Sequence, residues 1–158
     1  MIENLPFYIP LTFGLTTLAT LFLFYNALRK SSDTSVSGNA IKITVGLVLW
    51  LILQVVLSMI GVYSENLNSL PPKIFLFGLL PTILVIVWLF IFKHRFIDGL
   101  PIKPLTYIHL VRIPVEFVLL WLFLEDQIPQ IMTFEGWNFD ILMGLSTPII
   151  IFFGFIIP

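Results

Sequence analysis

Long apolar runs separated by short polar segments make up nearly the whole chain. Crossing a hydrocarbon core of about 30 Å takes roughly 20 residues of helix at about 1.5 Å each. Five runs approach that length: residues 5–28, 41–63, 74–92, 105–124 and 141–158. The pattern therefore predicts an all-α polytopic transmembrane helical bundle of five spans, forming a single membrane domain over residues 1–158. The fifth run is the shortest and ends without a polar tail. Pro71 and Pro72 precede the third run, where a helix start leaves N–H groups unpaired anyway. Pro81, Pro114 and Pro148 instead interrupt apolar runs, and each is expected to kink its helix.

Composition agrees with lipid as the solvent. Of 158 residues, 58% are hydrophobic and only 11% charged, too few to clothe a water-soluble surface. A net charge of −1 and the lack of any Lys/Arg block remove nucleic acid as a partner. The absence of cysteine excludes disulfides, thiolate metal sites and cysteine nucleophiles. The N-terminus lacks the basic region of a signal peptide, so the first run is expected to remain as a span.

The basic residues give an orientation, because short loops rich in Lys and Arg stay in the cytoplasm. Arg29, Lys30 and Lys42 flank the first connection, and Lys93, Arg95 and Lys103 the third. The second holds only Lys73 and the fourth none, whereas Glu3, Glu65, Glu125, Asp126, Glu135 and Asp140 fall on the opposite side. The expected location is a membrane that borders the cytoplasm, N-terminus outside. The partners expected are the bilayer and either further copies of the chain or another membrane subunit. The polar first connection, residues 31–39, reads as a flexible cytoplasmic link.

The fourth run carries the candidate chemistry. His109, Arg112 and Glu116 are spaced by three and then four, which sets them on one helical face with Arg112 and Glu116 able to pair. A charge at a span centre costs on the order of 3 kcal/mol, so these groups are expected to face protein or water. Thr16, Gln54 and Thr82 offer polar atoms at similar depth, on stripes of small or polar residues that let helices approach closely. The expectation is a buried polar site around Glu116. It has two readings: a register-fixing Arg112–Glu116 pair, or a proton- or ligand-binding carboxylate with His109 as a relay.

Residues 125–140 are too polar to span and too apolar for a hydrated loop. They read as a segment at the outer interface with Trp137 at headgroup depth. Glu135, Asn138 and Asp140 would line an outer vestibule or coordinate a hard cation, although their spacing matches no metal motif. His94 and His109 come with no haem motif, and no cofactor is expected. Hydrolase, nucleotide-binding and metalloprotease motifs are missing from the sequence.

The block HLVRIPVEFVLLWLF, followed by QIMTFEGWNFDILMGL and a Thr-Pro, resembles a group of uncharacterised multi-pass bacterial membrane proteins. These share an H-x-x-R-x-x-x-E helix and an M-T-F-E-G-x-N-F-D segment. The likeness covers the C-terminal third and implies no activity. It implies that His109, Arg112, Glu116, Glu135, Asn138 and Asp140 are matching positions of unassigned role. It also implies further helices beyond this point, which makes the end at Pro158 look like a truncation. The leading functional expectation is transport or permeation of a small solute or protons through the Glu116 site. The alternatives are an assembly subunit of a membrane complex and a membrane-embedded enzyme.

Overall fold

The computed structural model describes residues 5–63 and 71–155, and those residues contain helices, turns and no strand. Glu3, Glu65 and the last three positions of the expected fifth span lie outside them. Three helices are long and apolar enough to cross a membrane: α1 (Tyr8–Arg29), α3 (Ala40–Met59) and a composite helix, Ile102–Leu124. The expected third and fifth spans appear as shorter apolar helices, Phe75–Ile91 and Asp140–Gly154. Each falls several ångströms short of a 30 Å core at about 1.5 Å per residue. Length therefore supports three crossings, where the hydropathy pattern alone suggested five. Most large apolar side chains on these helices are exposed, among them Phe13, Leu18, Leu49, Val55, Leu84 and Phe90. Such a surface suits lipid and not water.

The chain forms two compact units, one of Leu28–Leu100 and one of Met1–Ala27 with Pro101–Pro158. In the first of these, residues 31–39 are not the flexible link that their composition suggests. Asp33 accepts from the Ser35 N–H at 2.7 Å and the Val36 N–H at 3.3 Å, capping a short helix, α2 (Thr34–Gly38). The Ser31 hydroxyl and the Ser32 N–H both donate to the Gly99 carbonyl, each at 2.9 Å. The first and third connections are thereby joined. An aspartate ahead of a short Ser/Thr run is an N-cap signal, and here it outweighs the loop-like composition.

Pro81 explains the next feature. It has no N–H to offer the carbonyl four residues back, that of Phe77. The backbone there widens into a π-helical stretch, Phe75–Leu79, before α4 (Leu80–Phe92) and the short α5 (His94–Asp98). The Gln54 side-chain amide donates to the Phe77 carbonyl at 3.2 Å, and its oxygen accepts from the Tyr63 hydroxyl. An in-span glutamine thus satisfies a carbonyl that a proline has released. Gln54→Met keeps the shape and removes both bonds. We expect it to lower stability by about 1 kcal/mol, measured by thermal unfolding in detergent.

In the other unit, Pro114 has a similar effect on the fourth span. α6 (Ile102–Ile108) passes into a 3₁₀ turn, His109–Val111, and then into α7 (Arg112–Leu124). The tightened turn lies directly before the proline, whose ring clashes with a normal α-helical carbonyl at Leu110. α7 ends with Asp126 in the left-handed region at φ 56, while the Gln127 N–H returns to Leu122 O at 2.9 Å. α8 (Asp140–Phe155) packs along this composite helix. A Cβ on Gly144 would lie 2.7 Å from Ile113 Cγ1 and 3.3 Å from His109 O, so only glycine allows the approach. Tyr8 meets Trp121 edge to face at 5.0 Å, which sets the start of α1 beside the end of α7.

Candidate functional site

α8 starts well short of the end of α7. Gly144 lies against His109 and Ile113, Asp140 reaches Arg112, and Asn138 reaches Glu116. Glu116 precedes Leu124 by about two helical turns, roughly 12 Å. Residues 125–139 therefore fold back along α7 instead of lying level with its end. Phe134 packs edge-on against Phe117 at 6.1 Å on the way down. A short 3₁₀ turn, Gln130–Met132, and a close passage at Gly136 shape this return. Trp137, Ile131 and Phe139 are exposed along it.

Among the described residues of this unit, Glu116 is the buried acid, at 1% exposure. Its Oε1 accepts from the Asn138 amide at 2.7 Å. Its Oε2 is buried and meets no hydrogen-bond donor among the described residues. Asn138 has both polar atoms of its side chain committed. The same amide nitrogen donates to Met132 O at 3.0 Å, and Oδ1 accepts from the Asp140 N–H at 3.2 Å, capping α8.

Arg112 pairs with Asp140 at 2.5 Å, not with Glu116 as the i, i+4 spacing suggested. Its charge and that of Asp140 still act on Glu116 through space. One guanidinium thus serves two carboxyl groups. With both carboxyl groups ionised, the cluster would carry a net charge of −1.

The structure brings together Glu116, Asn138, Arg112 and Asp140. His109 is half-buried in the 3₁₀ turn, where its carbonyl faces Gly144. Thr16 is buried, but its hydroxyl donates to Thr12 O within α1 at 2.7 Å. Thr82 is exposed and does the same to Gly78 O at 2.9 Å. Short hydroxyls in helices are readily consumed this way. Gln54 belongs to the other unit, where it serves Phe77 and Tyr63. Glu135 is exposed, and among the described residues no hydrogen bond or ion pair joins it to the cluster. Among the described residues, no three His, Asp or Glu side chains are gathered as a metal site.

Sequence reasoning passed over Thr133, Gly136 and Gly144. The first is fully buried in the returning loop, and the two glycines mark close backbone passages. An unexplained glycine beside Asn138 and another four residues before Pro148 were the available signals.

No family model, curated protein or solved structure matches the chain. The functional reading rests on geometry.

Proposed function

We propose that this is a bacterial cytoplasmic-membrane protein through which protons, or a small solute coupled to them, pass by way of Glu116. The observation that carries the reading is a fully buried carboxylate with one oxygen held by Asn138 and the other without a donor. Ionisable groups inside spanning helices are costly and mark ion pathways and proton relays. The returning loop supports it as well. Non-helical backbone at membrane depth is tolerated where it is covered by protein or lines an aqueous cavity. An interrupted segment whose helix begins at mid-depth is also how many transporters build their sites.

The proposed topology has five crossings, with the fifth made by the returning loop together with α8, and the N-terminus outside. Two contacts favour it. Tyr8 on Trp121 sets the chain's start and the fourth connection at one end. Ser31 and Ser32 on Gly99 set the first and third connections, which carry most of the Lys and Arg, together.

A lipid-soluble carbodiimide tests the function on the unaltered chain in proteoliposomes. We expect a covalent adduct mapped by mass spectrometry to Glu116, with proton flux falling in step with its occupancy. Flux that survives complete modification would refute the reading. Loss of a co-purifying membrane subunit with flux unchanged would favour the assembly alternative.

A further inference from the structure

The stretch that covers Glu116 holds its own shape. A Cβ on Gly136 would meet Ile131 Cα at 2.7 Å, so the loop is wound closely on itself. The Thr133 hydroxyl and N–H both donate to Gln130 O at 2.9 Å, and Thr133 O accepts from the Gly136 N–H at 2.9 Å. Its ties to the helix beneath are few by comparison. Past the turn that ends α7, where the Gln127 N–H returns to Leu122 O, those among the described residues are the Asn138 bond to Glu116, the Phe134–Phe117 ring contact and, just beyond the loop, the Asp140–Arg112 pair.

We propose that residues 125–139 are the outer gate of the Glu116 site, and that Asn138 is the positioning residue that holds the gate shut. The inference rests on Glu116 being the working group. Asn138 links three things at once: the carboxylate, the loop carbonyl of Met132 and the first N–H of α8. Only the first of these bonds crosses to α7. A proton taken up by the free Oε2 removes the charge that the Asn138 amide binds and weakens that bond, and a cation at the carboxylate competes for it directly. Once that bond is given up, Asn138 keeps Met132 and Asp140, so the loop can lift without losing its fold. Occupancy of the site and opening of the loop are coupled through one hydrogen bond.

The chain has no cysteine, so a single Thr133→Cys reports on the loop. Thr133 is 0% exposed with the gate closed. In proteoliposomes a membrane-impermeant methanethiosulfonate reagent should modify Thr133→Cys slowly. Adding Asn138→Ala should speed the reaction at least about tenfold, and Glu116→Leu, which removes the acceptor, should do the same. Glu116→Gln keeps a carbonyl for Asn138 but not the charge, and should speed the reaction by less than Glu116→Leu does. Should Asn138→Ala fail to fold, the contrast between Glu116→Leu and Glu116→Gln still decides. Equal rates in all backgrounds overturn the gate, and so does acceleration by Glu116→Gln as large as by Glu116→Leu. Unaltered proton flux in Glu116→Gln would instead sink the transport reading and leave the labelling result standing.

Discussion

Gly144→Val lowers the thermal midpoint of the detergent-solubilised protein by about 10 °C, the largest stability effect expected of any single change here. At this position α8 touches the composite helix nearly backbone to backbone. The first added carbon meets Ile113 Cγ1 at 2.7 Å, and that side chain can turn aside. The Ile113 N and His109 O atoms, each 3.3 Å away, belong to the main chain and yield less easily. Two more methyl groups have nowhere to go except between the helices, at a cost of about 3 kcal/mol. Gly144→Ala is milder, because the better helix propensity of alanine returns about 1 kcal/mol against the strain. The check is a melting curve followed by tryptophan fluorescence, with Trp121 on α7 and Trp137 in the loop that leads into α8. Equal midpoints for Gly144→Val and the parent would show that α8 does not pack as described.

Local chemistry was legible in the sequence, and long-range pairing was not. Pro114 announces its own effect, because a missing N–H and a ring clash act within one turn, and the 3₁₀ stretch His109–Val111 is the result. Glu116 was equally readable, since an acid within an apolar run has to be buried or paired. The partner of Arg112 was misread for a physical reason. The i, i+4 rule sees only neighbours on one helix, whereas the backward fold of residues 125–139 delivers Asp140 to the guanidinium and Asn138 to Glu116. Nothing in hydropathy distinguishes a loop lying on the surface from one that returns two turns down a helix. Gln54 shows a middle case. Its place within an apolar run was evident, but its role depends on Phe77 losing a partner to Pro81, a fact visible only when the proline's offset of four is followed to its carbonyl.

Span counting met a similar limit. A hydropathy run ends where polar residues begin, but a helix ends where its hydrogen bonds do. Residues 74–92 read as a full span, and the structure has one shorter apolar helix there, Phe75–Ile91, that opens with a π-helical stretch. The run at 141–158 corresponds to a helix that starts at mid-depth on its neighbour.

Glu116→Gln should abolish function while sparing the fold. Glutamine has the same shape and keeps an oxygen for the Asn138 amide, so the returning loop, the cap on α8 and the Arg112–Asp140 pair stay in place. What it lacks is a group that can take up and release a proton. The melting curve should therefore match that of the parent, which separates this variant from those that merely unfold. The decisive measurement is proton flux in proteoliposomes, driven by a potassium diffusion potential and read with a trapped pH-sensitive dye. Glu116→Gln is predicted to run about a hundredfold slower than the parent chain. Equal rates for the two proteins would contradict the account.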